Sequence, residues 1–146
     1  MELYNFKAMC LRVVDGDTID VEFDLGFDIT YKERVRVLGI DTPECRTKNL
    51  LEKDAGLSVK AYLQQKIEGK YVYITTKLDG NTGKYGRLLG TIYEHRESTE
   101  SINAKLLRMG LAREYTGGKR NPWNYGMLNE MIDTVKLMIG DVLNKD

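Results

Sequence analysis

Pro43 restricts the fold of this chain more than any other residue. It closes the run Arg34-Val-Arg-Val-Leu-Gly-Ile-Asp-Thr-Pro-Glu44. That run begins as a strand, with β-branched and apolar bulk from Val35, Val37, Leu38 and Ile40. A proline cannot donate to a ladder, and it pushes Thr42 toward an extended conformation. A strand over about residues 31–40 must therefore stop here, with Asp41, Thr42 and Glu44 at its exit and Arg36 just upstream. Two carboxylates, a hydroxyl and a carbonyl beside a fixed cation are the parts needed to hold a hard metal ion and to act on a phosphate. On a regular strand Arg36 and Asp41 face opposite sides, so a single site requires a bulge or bend near Gly39.

Upstream, residues 7–14 read as a first strand and Asp15-Gly16 as a turn. From Thr18 to Leu25 the chain alternates, with Ile19, Val21, Phe23 and Leu25 on one face and Asp20, Glu22 and Asp24 on the other. Residues 7–25 thus form an expected hairpin. By the same parity Asp17 points with the apolar face, where a carboxylate needs a partner, although Asp is also a common turn residue. An EF-hand calcium loop is excluded here, because Ile19 stands where its third acidic ligand belongs and Asp20 where its glycine belongs.

Downstream, a turn at Gly26–Thr30 leads into the strand ended by Pro43, and a polar loop follows from Cys45 to Lys53. Ala55, Val59, Tyr62, Leu63 and Ile67 share one helical face, with Asp54 as the expected N-cap and Gly69 as the stop. Residues 71–75 and 87–93 read as strands around a glycine-containing loop. Ser101 should cap a short helix ending at Gly110, with Ile102, Leu106 and Met109 inward, and residues 110–113 can return a short strand. A basic, glycine-containing loop runs from Arg113 to Arg120. Asn121-Pro122 reads as cap and first position of a last helix, whose stripe is Leu128, Met131, Ile132, Val135, Met138, Ile139 and Val142. Five uneven strands, helices after the third and fifth, and a terminal helix suggest one domain built on a small closed β-barrel of the kind that presents an oligonucleotide-binding face.

The chemistry is narrowed further by what is scarce. The chain has 146 residues, 22 basic and 22 acidic, so there is no global basic footprint for nucleic acid and any such contact must be local. Its single histidine, His95, lies in a polar turn, so no Ser-His-Asp triad or histidine-based zinc site is expected. A general base at neutral pH would have to be a carboxylate. Cys10 and Cys45 are expected as free thiols. With no signal-peptide segment and no apolar run near 20 residues, the chain as given reads as soluble and cytoplasmic, and a removed leader would make it secreted. In Lys84-Tyr-Gly-Arg87 the cations offer phosphate contacts and Tyr85 a ring for stacking.

Val14-Asp-Gly-Asp-Thr18, then Arg36 with Asp41-Thr-Pro-Glu44, then Lys84-Tyr-Gly-Arg87 together resemble the staphylococcal nuclease (thermonuclease) family over about residues 8–115. Asn103 with the segment Leu106–Ala112 is similar to the family's second helix. The resemblance implies an α+β fold, an OB-fold five-stranded β-barrel with three α-helices. It implies Ca²⁺-dependent hydrolysis of DNA and/or RNA phosphodiesters to 3′-phosphorylated products by attack of water. Carried over by matched position, Asp17, Asp41 and the Thr42 carbonyl would hold one Ca²⁺ ion. Glu44 would position or deprotonate the water, and Arg36 and Arg87 would bind the scissile phosphate. Lys84, Tyr85 and Tyr115 would contact the nucleotide of a DNA or RNA substrate, in a monomeric protein with no membrane partner. The alternatives are a non-catalytic nucleic-acid- or protein-binding module on the same barrel, and an interaction domain whose acidic residues only form turns. The presence of Asp17, Arg36, Asp41, Thr42, Glu44 and Arg87 together separates the enzyme from the binding module, and the interaction domain predicts no Ca²⁺-linked stabilisation.

Overall fold

A computed structural model describes residues 4–78 and 88–143. In chain order its elements are β1 (Asn5–Asp15), β2 (Thr18–Asp24), β3 (Thr30–Val37), β4 (Ile40–Asp41), α1 (Leu50–Ile67), β5 (Tyr71–Leu78), β6 (Leu88–Tyr93), α2 (Ile102–Arg108), β7 (Arg113–Glu114) and α3 (Tyr125–Ile139). Strands β1-β2-β3-β6-β5 close into a barrel, β1 pairing back on β5 and β3 running parallel to β6. This is the five-stranded OB-fold barrel, carried with three helices as the sequence suggested. Closure removes every edge from these strands. A separate two-stranded ladder joins β4 to β7.

Alternation built the hairpin as expected: Ile19, Val21 and Phe23 are buried in the barrel with Ala8, Cys10 and Val13 of β1. The expected strand 31–40 is broken in two. Gly39 adopts φ +83°, a left-handed conformation open to glycine at little cost, and the turn at residues 38–39 separates β3 from β4. Asn103 of α2 holds that turn. Its amide donates to the carbonyls of Leu38 at 2.8 Å and Gly90 at 3.1 Å, and its oxygen accepts from Ile92 N–H at 3.0 Å.

Two helix starts differ from expectation. α1 begins at Leu50, its N-cap being Asn49, whose side chain accepts from Glu52 N–H; Asp54 lies in the second turn. The apolar pattern missed this turn because Leu50 is exposed, whereas Asn49-Leu-Leu-Glu52 carries a capping signal instead. α3 is capped by Asn124 rather than Asn121, because residues 121–124 run extended across Arg113. Its face is Leu128, Met131 and Val135; Met138 is half exposed, and Val142 lies past the helix end at Gly140. The short strand expected at residues 110–113 forms at Arg113–Glu114, where Ile40 and Asp41 offer pairing partners. Leu25 lies past the end of β2 and is exposed.

Helix α1 positions the strand exit. It packs on β1 and α3, and at Gly56 the chain after Pro43 lies directly against it. A Cβ there would sit 2.7 Å from the carbonyl oxygens of both Pro43 and Glu44. A Cβ on Gly16 would similarly meet Val59 of α1 at 2.7 Å. Two glycines thus let the β1–β2 turn and the Pro43 loop converge beneath one helix.

Candidate active site

Asp17 stands in the tight turn between β1 and β2 and is 5% exposed. Its Oδ1 accepts from the Thr18 hydroxyl at 3.0 Å, and its Oδ2 accepts from Thr42 N–H at 3.2 Å. The turn and the Pro43 loop are thereby tied to each other. Arg36 leaves β3 on the outer face, because Val35 and Val37 fill the interior. One of its nitrogens lies 3.3 Å from Asp17 Oδ2; the other donates to the Ile40 carbonyl at 3.1 Å and lies 3.9 Å from Asp41 Oδ1. The bend at Gly39 is what returns Asp41 to the side of Arg36. The parity conflict within the run is resolved by one left-handed residue.

Asp41 is 1% exposed and Thr42 2%. Asp41 Oδ1 and Thr42 Oγ1 are buried without a hydrogen-bond partner. A buried oxygen in that state costs free energy unless something else meets it. Near Asp41 Oδ1 stand the guanidiniums of Arg120 at 3.7 Å and Arg36 at 3.9 Å, and the oxygens of Asp17, Asp41 and Thr42 suit a hard cation such as Ca²⁺ rather than zinc or copper. Among the described residues no group of three or more His, Cys, Asp and Glu side chains could hold a metal ion. A cation there would be held by Asp17, Asp41 and Thr42, a sparse set with two carboxylates.

Glu44 lies at the rim, its side chain 49% exposed. Its backbone N–H donates to Glu52 at 3.1 Å. Partial burial is the main effect raising its pKa above the ordinary glutamate range; Asp17, Asp15 and Asp41 push the same way and Arg120 opposes them. Tyr115 comes from the segment after β7, held by its N–H to the Gly39 carbonyl at 2.9 Å. Its ring lies between two guanidiniums, 5.5 Å from Arg36 and 5.3 Å from Arg120. Asp17, Thr18, Arg34, Arg36, Glu44 and Arg120 face a common pocket of about 480 Å³. Lys84, Tyr85 and Arg87 lie outside the described residues. A groove of similar volume at Lys7, Tyr73, Tyr93 and Arg96 lacks a carboxylate and holds none of the predicted site residues.

Two site residues went unassigned in the sequence. Arg113 puts Nε and Nη2 on Asp41 Oδ2, at 3.1 and 3.0 Å, and stacks on Trp123 with its guanidinium 3.7 Å from the ring centre. Arg120 reaches Glu44 at 2.9 Å and comes within 3.7 Å of Asp41 Oδ1. The basic stretch Arg113–Arg120 carried a signal for them, but nothing in the sequence linked that stretch to Asp41. The link is the β4–β7 ladder, a pairing between segments more than 70 residues apart, with Asp41 opposite Arg113.

A family model described as staphylococcal nuclease homologue matches residues 34–135. Over 102 residues the chain is 34% identical to a thermonuclease of Staphylococcus intermedius, covering 70% of this chain and 55% of that protein. It is 32% identical over 102 residues to the SPbeta prophage-derived endonuclease YokF of Bacillus subtilis, covering 70% of this chain and 32% of that protein. It is 30% identical over 102 residues to endonuclease YncB of the same species, covering 70% and 44%. The chain spans about half, or less, of the length of these relatives.

Proposed function

The chain belongs to the staphylococcal nuclease homologue family, and on that premise we propose that it is a monomeric hydrolase of phosphodiester bonds in DNA or RNA, assisted by one Ca²⁺ ion and leaving 3′-phosphorylated products. The observation that carries this reading is Asp41 Oδ1, buried without a hydrogen bond next to Arg36, which with Asp17 lines a pocket large enough for a nucleotide. The names of the relatives are consistent with it.

Each residue has a role that follows from its surroundings. Asp17, Asp41 and Thr42 would hold the cation, which when bound neutralises phosphate charge and polarises the phosphorus for attack. Arg36 offers two nitrogens in a fixed fork, anchored on the Ile40 carbonyl and aimed past Asp17. Such a fork suits the equatorial oxygens of a phosphodiester, whose negative charge grows as water attacks. Glu44 is half exposed at the rim, with its pKa raised, which favours accepting a proton from that water. Tyr115 offers a ring for a base or sugar, and Lys84, Tyr85 and Arg87 would complete the nucleotide and phosphate contacts. Positioning and charge neutralisation dominate phosphoryl transfer, so no covalent enzyme intermediate is needed.

The test is hydrolysis of single-stranded DNA with Ca²⁺, with EGTA, and by Arg36→Lys in Ca²⁺. Activity should vanish with EGTA and fall about 10²–10³-fold in Arg36→Lys, because a point charge does not replace the planar fork. A folded protein inactive under every condition would instead support the non-catalytic binding module.

A further inference from the structure

The roles above leave two of the site's arginines unexplained. Three carboxylates, Asp17, Asp41 and Glu44, meet three guanidiniums, Arg36, Arg113 and Arg120. The three arginines are held differently. Arg36 is 12% exposed and anchored on a backbone carbonyl. Arg113 is stacked on Trp123, bonded twice to Asp41 Oδ2 and bonded to the Asn121 carbonyl at 2.7 Å. Both are fixed parts of the site. Arg120 is 36% exposed, comes from a segment outside any helix or strand, and is held through its side chain by Glu44, itself half exposed, and by Tyr115. Its other carboxylate neighbour, Asp41 Oδ1 at 3.7 Å, is the buried oxygen that lacks a hydrogen bond.

We propose that Arg120 is a phosphate-binding residue of the substrate pocket, which rests on Asp41 and Glu44 until a divalent cation and a nucleotide take its place there. The inference rests on the nuclease reading and adds to it a third arginine and a switch of partners. Arg113 already occupies Asp41 Oδ2, so a cation held by Asp41 must share Oδ1, the atom Arg120 approaches. A cation at Oδ1 competes with the Arg120 guanidinium for that atom. Arg120, 36% exposed and outside any helix or strand, is the one that gives way, whereas Arg36 stays anchored on the Ile40 carbonyl. The Arg120 guanidinium then remains at the pocket wall it shares with Arg36 and Thr18, with donors free for a phosphate. Tyr115 lies near both guanidiniums, its ring 5.5 Å from Arg36 and 5.3 Å from Arg120. The cation and the nucleotide thus bind cooperatively, because a cation that takes Arg120's place at Asp41 leaves the guanidinium donors to an anion.

Calorimetric titration of the wild type, Arg120→Ala and the exposed neighbour variant Lys119→Ala tests this, with Ca²⁺ alone and with thymidine 3′-phosphate in Ca²⁺. The mononucleotide has no diester to cleave, so binding is read without turnover. Arg120→Ala is expected to bind Ca²⁺ alone at least as tightly as wild type, and to lose about 10- to 100-fold in nucleotide affinity, the range for a hydrogen bond to a charged group. Lys119→Ala should match wild type in both. Equal nucleotide affinity in Arg120→Ala and wild type would overturn the role of Arg120 while leaving the nuclease reading intact. Weaker binding of Ca²⁺ alone by Arg120→Ala would overturn the exchange, because Arg120 would then support the cation site rather than compete with it. A folded wild type that binds neither probe would overturn both readings.

Discussion

At the residue scale, the two thiols show how burial shifts chemistry. Cys10 points into the barrel and Cys45 lies under the Pro43 loop; burial, as the largest effect, pushes each thiol up to about 12. Asp15 adds to the rise at Cys45, both by its charge and as a hydrogen-bond acceptor. Iodoacetamide at pH 8 should therefore label the native protein far more slowly than the urea-unfolded chain, in which both thiols react; rapid native labelling would contradict the burial. The sign of the linked stability follows. The unfolded thiols lose protons near 9.0 while the folded ones keep theirs, so stability is fully present below that value and declines as pH rises toward about 12. Urea midpoints measured between pH 8 and 10 should fall, and less so in Cys10→Ala once its own cavity cost is subtracted at pH 7.

At the element scale, the site depends on how strands end and on what presses against them. Asn103 is the fastener of the turn that brings Asp41 back to Arg36. Replacing it with Ala leaves Ile92 N–H and the Leu38 carbonyl without this partner, whereas Gly90's carbonyl keeps Leu38 N–H at 2.9 Å. At about 1–3 kcal/mol for each unsatisfied buried group, Asn103→Ala should cost about 2–6 kcal/mol in urea unfolding. Gly56 opposes two effects of different size. Ala in a helix interior is favoured over Gly by up to about 1 kcal/mol. Here the new methyl would meet two backbone carbonyl oxygens at 2.7 Å, and neither can turn aside as a side-chain tip could. Overpacking of that kind costs about 1–3 kcal/mol, so Gly56→Ala should destabilise. A variant equal to or more stable than wild type would mean that the Pro43 loop moves off α1 freely.

At the scale of the whole molecule, zero net charge makes nucleic-acid contact a local matter. With phosphate contacts confined to Arg36, Lys84 and Arg87, and Arg120 as a fourth, log K against log salt for single-stranded DNA should have a slope of about −2 to −3. A slope steeper than about −5 would require a basic track beyond the pocket, and the groove at Lys7 and Arg96 would be the first place to look. No helix among the described residues is long and apolar enough to cross a membrane.

Much of this protein was determined by local sequence. Period-two alternation set the hairpin, whereas Asp17 stands in the turn and faces Arg36 on the outer side rather than the barrel interior. Pro43 ended its strand, and Ser101 capped α2 through a bond to Ala104 N–H at 3.0 Å. The residues Asp17, Arg36, Asp41, Thr42 and Glu44 were legible because proline, aspartate and arginine carry strong positional meaning at strand ends and turns. Tertiary structure alone decided what these residues meet. The starts of α1 and α3 came from caps outside the apolar stripe, and the position of Asn124 followed from the extended segment that packs across Arg113. Arg113 joined the site only because two-residue strands paired across the chain, and Arg120 lies in the segment that follows. Pairing of that kind has no local signature, since its energy comes from surfaces that exist only after the chain has folded.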